Sequence, residues 1–221
     1  MLEKYVIIVA GGRGKRMYSQ NPKQFMQIAG RPVLMHTIEK FSNYPEDFQI
    51  IVVLPAPYID FWASLCRRFD FTVSHKIIEG GDSRFYSVKN GLQFINNNSL
   101  VGIHDGVRPL VSNTTIHNAF HVASSKGNAI PVVKISESIR QVDEENSSPV
   151  NRQHYRLIQT PQCFRSELIL RAYDQEFQKS FSDDATVVEA LGQKINLVEG
   201  NYENIKITRP VDLQFAEAFL R

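Results

Sequence analysis

Tyr5-Val6-Ile7-Ile8-Val9-Ala10, followed at once by Gly11-Gly12-Arg13-Gly14-Lys15-Arg16-Met17, is the stretch on which the fold turns. An apolar, largely β-branched run without polar alternation is a strand buried on both faces, as in a parallel sheet covered by helices. Glycine then ends it, and the space beyond the carboxyl end of such a strand is where an open α/β sheet receives its ligand. Outward from this point, Pro32 opens a helix with Val33, Leu34, Ile38 and Phe41 on one face, and Gln49 to Leu54 is a second buried strand.

The alternation continues. Tyr58, Trp62, Leu65 and Phe69 fall at helical spacing, a strand is expected near Phe71 to Ile78, and the next helix carries Val88, Leu92 and Ile95. Leu100 to His104, then Ile116, Ala119, Phe120 and Ala123, then Ala129 to Val133 repeat strand, helix, strand. Residues 136–160 break the rhythm, with alternation at Ile139 to Val142, a polar turn from Asp143 to Pro149 and an extended stretch from Tyr155 to Gln159. These predict a two-stranded arm. A lone hairpin is marginal in water, so the arm packs on a second copy of the chain or lies as a lid over its own sheet. Helices near Glu167 to Phe177 and Ala185 to Leu191, a strand at Lys194 to Val198 and a helix opened by Pro210 complete the chain. The expectation is one α/β domain over residues 1–221, a Rossmann-like, mostly parallel sheet flanked by helices, with a protruding β-arm at about 136–160.

Of the 221 residues, 43% are hydrophobic and 22% charged, which excludes disorder and fibrous repeats. The 25 Lys and Arg against 23 Asp and Glu are too balanced for a nucleic-acid or membrane surface, so anions must be met by local clusters. No apolar run is long enough for a membrane span and the N-terminal run is too short for a signal peptide, so a cytoplasmic protein is expected. Cys66 and Cys163 form no CxxC pattern and are expected to be idle thiols.

The glycine-rich loop lacks the Lys-Ser/Thr pair of a Walker A sequence, and Met17 stands where a dinucleotide fingerprint has its third glycine. Arg13, Lys15, Arg16 and Lys23 give it instead four cations within eleven residues, suited to a triphosphate. A basic turn with solvated side chains has the same composition. Gly80-Gly81-Asp82 precedes a helix carrying Ser87, where backbone groups can read a small base, although Asp and Ser also serve simply as caps. His104-Asp105-Gly106-Val107-Arg108 ends a strand: the carboxylate can hold magnesium or a hydroxyl and Arg108 can clamp a phosphate, or the two can pair with each other. Lys206 sits between Ile205 and Ile207 on an extended segment, facing the opposite way, as a ligand or as a sheet-edge charge. His117 and His121 have the spacing of a metal pair but no third partner.

Ala10-Gly11-Gly12-x-Gly14-x-Arg16-Met17, Pro22-Lys23-Gln24, Gly80-Gly81-Asp82, Ser87-Val88-x-x-Gly91-Leu92, His104-Asp105-x-x-Arg108-Pro109, Thr160-Pro161-Gln162 and Asn204-Ile205-Lys206-Ile207-Thr208 follow one another in this order. Over nearly the whole chain this resembles the 2-C-methyl-D-erythritol 4-phosphate cytidylyltransferases. The resemblance implies the fold of the nucleotide-diphospho-sugar transferases and a reaction in which an acceptor phosphate attacks the α-phosphorus of CTP, giving a CDP-polyol and pyrophosphate. It assigns Arg16, Lys23 and Lys206 to the triphosphate and transition state. Ala10, Gly11, Gly12, Gly80, Asp82 and Ser87 would bind the cytosine, with Gly106 near the ribose. Asp105 would meet acceptor hydroxyls or the metal, and Arg108 and Ser182 the acceptor. The arm would reach across a homodimer, bringing Ser138 and Arg152 to the neighbour's acceptor. Serine stands at 138 and 182 where threonine is usual, keeping the hydroxyl, and Asn151 precedes Arg152 where aspartate is common. Magnesium would arrive mainly on the CTP phosphates. The nearest alternative is a ribitol 5-phosphate cytidylyltransferase; an idle nucleotide-binding protein would not need all of Arg16, Lys23 and Lys206.

Overall fold

A computed structural model describes residues 2–12 and 22–220, so Arg13, Lys15, Arg16 and Met17 of the glycine-rich loop lie outside the described residues. In chain order the elements are β1 (Glu3–Val9), β2 (Gln27–Ile28), β3 (Arg31–Pro32), α1 (Val33–Ser42), β4 (Gln49–Leu54), α2 (Ile59–Arg68), β5 (Lys76–Glu79), α3 (Arg84–Leu92), β6 (Ser99–Asp105), α4 (Asn113–Lys126), β7 (Asn128–Lys134), β8 (Ile139–Val142), β9 (Ser147–Val150), β10 (Arg156–Ile158), β11 (Gln162–Arg165), α5 (Ser166–Tyr173), α6 (Asp184–Glu189), β12 (Leu197–Glu199) and α7 (Pro210–Leu220). The main sheet pairs in the order β10-β7-β11-β6-β1-β4-β5, with β12 also on β7. β1 is parallel to both β4 and β6, and β4 to β5, so the first strand lies at the centre of the parallel half.

Alternation of side chains across β1 decides the two layers. Val6 and Ile8 face α1, α2 and α4 through Leu34, Ile38, Phe41, Trp62 and Phe120, while Tyr5 and Ile7 face α3 and α5 through Val88, Ile169 and Tyr173. Both faces being apolar, the strand reads as an unbroken hydrophobic run.

Four details differ from the expectation. The expected strand from Phe71 forms ladder bonds only over Lys76–Glu79. The last strand begins at Leu197 rather than Lys194; just before it, Asn196 N donates to the Asn128 side chain while Asn196 O accepts from Ile130 N. Third, the arm pairs β8 with β9, so Ser147 to Pro149 form its second strand rather than its turn. The turn is closed by Asp143, whose carboxylate accepts from Asn146 N at 2.7 Å. The stretch at Tyr155 to Gln159 returns to the main sheet as β10, antiparallel to β7.

The fourth is β11, an unexpected strand set antiparallel between β6 and β7, which makes the sheet mixed. Ile158 stands opposite Val132 and Cys163 opposite Ala129, so two extra residues bulge from this side of β7. The bulge turns Thr160 toward the end of β6, where its hydroxyl accepts from Asp105 N at 3.1 Å.

Candidate active site

The carboxyl ends of β1, β4, β5 and β6 are tied to one another just beyond the ladder. Ala10 N donates to Val53 O (2.9 Å), Gly80 N to Leu54 O (2.8 Å) and Gly106 N to Val9 O (2.9 Å). These bonds leave no room for side chains: a Cβ on Gly106 would lie 2.9 Å from that of Ala10, and one on Gly81 would lie 2.5 Å from that of Tyr86.

Above these strand ends is a cavity of about 350 Å³. Ala10, Gly11, Gly12, Lys23, Gly80, Asp82, Ser87, Asp105 and Lys206 all line it, together with Gly81, Gln24, Arg84, Pro55 and Val107. Gly106 lies buried immediately beneath. Ser87 braces the second glycine loop, accepting from Gly81 N at 3.2 Å. Lys23 opens a short turn, Lys23–Phe25, anchored by Gln24, whose amide donates to Ala10 O at 2.7 Å, and by Phe25 in the aromatic cluster of Tyr58, Phe61 and Trp62. Arg16 lies outside the described residues.

Asp105 is the electrostatic centre. Its Oδ2 meets Arg108 Nε at 3.0 Å and Lys206 Nζ at 3.1 Å. Burial opposes its ionisation, but Lys206, Arg108 and Arg84 outweigh that and hold the carboxyl well below the usual range. Arg108 also donates to the carbonyls of Asn204 (2.7 Å) and Ile158 (3.5 Å), so its guanidinium joins three segments and is not among the cavity-lining residues. Lys206, with its side chain 42% exposed, keeps its ammonium at the cavity. Behind Asp105, His104 is completely buried, its ring nitrogens facing Thr160 Oγ1 (3.0 Å) and Arg108 O (3.0 Å). Because the Arg108 carbonyl can only accept, Nε2 carries the ring proton and donates to it, and Nδ1 of the neutral ring accepts from the Thr160 hydroxyl. Burial depresses the His104 pKa to about 4, so the ring is a neutral spacer and no histidine lines the cavity.

Arg84, His104, Thr160 and Gln24 have structural or lining roles that their sequence motifs did not disclose. Ser182 is exposed and, like Ser138 and Arg152, does not line the cavity. Ser138 and Arg152 belong to the arm region, where Arg152 donates to the carbonyl of Ser136. Asn151 caps the turn Arg152–His154 by accepting from Gln153 N, as an aspartate would. Among the described residues no group of three or more His, Cys, Asp or Glu could hold a metal, and Asp105, whose Oδ2 meets two cations, is a poor ligand for one. His117 and His121 stack on each other at 5.6 Å, with the Tyr44 hydroxyl at 3.4 Å from His117 Nδ1, and join no metal-binding group among the described residues. Both cysteines are free thiols, and among the described residues no helix is long and apolar enough to cross a membrane.

A family profile described as 2-C-methyl-D-erythritol 4-phosphate cytidylyltransferase (IspD) matches residues 4–221. A protein of that name from Bacteroides fragilis is 52% identical over 214 residues, covering 97% of this chain and 98% of the relative. Another, from Clostridium perfringens, is 40% identical over 220 residues, with 97% of each covered. Among solved structures, 2-C-methyl-D-erythritol 4-phosphate cytidylyltransferase from Thermus thermophilus superposes with a TM-score of 0.80 at 30% identity, covering all of both chains. The 4-diphosphocytidyl-2C-methyl-D-erythritol synthase from Anaerococcus prevotii gives a TM-score of 0.83 at 29% identity, covering 99% of this chain and 96% of that one.

Proposed function

The chain belongs to the 2-C-methyl-D-erythritol 4-phosphate cytidylyltransferase family, and from that premise we propose that its cavity transfers CMP from CTP to 2-C-methyl-D-erythritol 4-phosphate. The products are CDP-methylerythritol and pyrophosphate, in the non-mevalonate route to isoprenoid precursors. The observation that carries the reading is the meeting of Lys23 and Lys206, from opposite ends of the sequence, at one cavity floored by two glycine loops.

The chemistry fits this floor. A phosphate monoester has its second pKa at about 6 and is already a dianion near neutral pH, so the nucleophile needs no general base. What remains is to align it with the α-phosphorus and to stabilise charge on the surrounding oxygens. Lys23 and Lys206 are the cavity-lining lysines suited to that, and the family resemblance adds Arg16. Backbone groups at Gly11, Gly12 and around Gly80, with Asp82 and Ser87, suit a small pyrimidine edge, and the tight packing around Gly81 and Gly106 favours it over a larger base. Magnesium enters as the counter-ion of the CTP phosphates and supplies charge neutralisation there; the protein's part is to place the cations around it.

The 136–160 arm completes a homodimer in this reading, and Ser138 and Arg152 contact the acceptor held by the neighbouring copy. Their absence from the cavity of their own chain supports that assignment. Ser182 and Arg108 lie on the acceptor side, the latter by fixing Asp105. A CTP-consuming step of this kind belongs in the cytoplasm.

The test is pyrophosphate release from CTP and magnesium with methylerythritol phosphate and, in parallel, ribitol 5-phosphate. Preferential release with methylerythritol phosphate is expected. Preference for ribitol phosphate would keep the transfer chemistry and overturn the acceptor.

A further inference from the structure

Arg84 is the first residue of α3, directly after the loop expected to read the base; it lines the cavity, and its side chain is 31% exposed. Its two terminal nitrogens grip Asp184 in a fork, at 2.7 and 2.5 Å. Asp184 has no exposed surface, and its Oδ1 also accepts the Tyr173 hydroxyl at 2.6 Å. The neighbouring Asp183 caps α6 and is held in turn by Gln162 Nε2 at 2.8 Å. The guanidinium is therefore fixed in position and orientation, beside the segment that carries Ser182.

An arginine carries five N–H donors. Two are spent on Asp184, and the other three make no hydrogen bond among the described residues. The buried carboxylate also neutralises the guanidinium, so what it offers the cavity is a rigid set of directed N–H groups rather than an unpaired charge. That is a poor match for a triphosphate, which Lys23 and Lys206 serve better, and a good match for neutral oxygen. Across the same cavity, Asp105 receives both of its cations on Oδ2 and makes no hydrogen bond through Oδ1 among the described residues. Rigid donors and a carboxylate acceptor lining one cavity make a cradle for hydroxyl groups, each of which both accepts and donates.

We infer that Arg84, clamped by Asp184 and Tyr173, is a substrate-contacting residue that holds the hydroxyls of the polyol acceptor together with Asp105. This rests on the proposed function, since it requires that the second substrate be a polyol phosphate. The contact acts on acceptor recognition and leaves CTP binding alone.

The experiment compares the intact wild-type protein with Arg84→Lys, which keeps a cation on Asp184 but removes the fork and its outward donors. Steady-state constants are measured for CTP, for 2-C-methyl-D-erythritol 4-phosphate and for its counterparts lacking the hydroxyl at C1, C2 or C3. In the wild type, at least one deletion should raise the acceptor KM by about tenfold to a hundredfold, the scale of a hydrogen bond to a charged group. In Arg84→Lys the acceptor KM should rise about tenfold with the CTP KM changed less than about twofold, and the penalty for that same deletion should shrink to less than about threefold. Undiminished discrimination among the deoxy acceptors, or an equal rise in both KM values, would overturn the inference. Should Arg84→Lys fail to fold, Tyr173→Phe decides. It removes only the hydroxyl on Asp184, and a rise confined to the acceptor KM is expected, with an unchanged or unselective KM overturning the inference. Absence of any transfer by the wild type would instead bring down the functional reading on which this one stands.

Discussion

Acidification from pH 7 to pH 5 should weaken this protein by about 2 kcal/mol through one side chain, His104. The ring is fully buried between Thr160, Arg108 and the edge of Phe41, and burial holds its pKa at about 4 against an ordinary 6.5. Below 6.5 the unfolded chain takes up a proton there that the native state refuses, so stability present above that pH is lost as the pH falls toward 4. The full difference corresponds to about 3 kcal/mol, of which about 2 is lost by pH 5 and the rest mostly by pH 4. His36 and His75 are also depressed by burial and add to the wild-type slope, so the quantity to measure is a difference between proteins. Urea unfolding followed by the single tryptophan, the buried Trp62, gives that quantity for wild type and His104→Gln at pH 7, 6 and 5. The variant starts lower because it disturbs a packed network, but its decline with pH should be shallower by about 2 kcal/mol. Parallel declines would show that His104 accepts a proton in the native state without penalty, and the account of it as a neutral spacer would be wrong.

Lys23→Ala should lower turnover about 100 to 1000-fold, the scale of one transition-state electrostatic contact, with the fold intact by circular dichroism; wild-type turnover in the folded variant would remove Lys23 from the reaction. Arg152→Ala should raise the acceptor KM more than the CTP KM, and mixing it with an inactive Lys23→Ala partner should restore roughly one good site per hybrid pair if the arm serves the neighbouring copy; no recovery on mixing would confine Arg152 to its own chain. Asp105→Asn keeps the shape but leaves Lys206 and Arg108 without their anion, so pyrophosphate should inhibit about tenfold more strongly while turnover falls. Unchanged product inhibition would mean that Asp105 does not govern the charge felt by phosphate.

Most of the scaffold was legible because its signals are local. Gln49 to Leu54 is an unbroken apolar strand, and Val33, Leu34, Ile38 and Phe41 mark one face of α1. The glycine loops were legible as loops because each follows such a strand. β11 was not, since Gln162 to Arg165 is short and its place between β6 and β7 depends on a bulge made of residues before it. Ser147-Ser148-Pro149 carries turn composition and still forms a strand, because Asp143 closes the turn earlier. The pairings that organise the site are equally silent in sequence: Thr160 meets His104 from 56 residues away, and Arg84 meets Asp184 from 100. Spacing rules reach a helical turn or a strand pair; they do not reach contacts made by topology.

The division of labour among the cations follows from the nucleophile. Because the attacking phosphate is ionised before it binds, proton transfer offers no advantage, and the fold can bury its one nearby histidine as a neutral spacer. Charge must be delivered where it develops, and the two kinds of cation do this differently. Arg84 and Arg108 are locked by forked or multiple bonds to Asp184, Asp105, Asn204 and Ile158, which makes them fixed walls. Lys23 and Lys206 sit on segments fixed by the bond from the Gln24 side chain to Ala10 O and by Ile207 N on Val107 O, and Lys206 meets Asp105 through a single contact at 3.1 Å rather than a fork. Rigid arginines define the volume in which the substrates fit. In the proposed reaction the lysines deliver charge to the phosphates as bonds to phosphorus form and break, and Asp105 sets how much of the Lys206 charge the substrates experience.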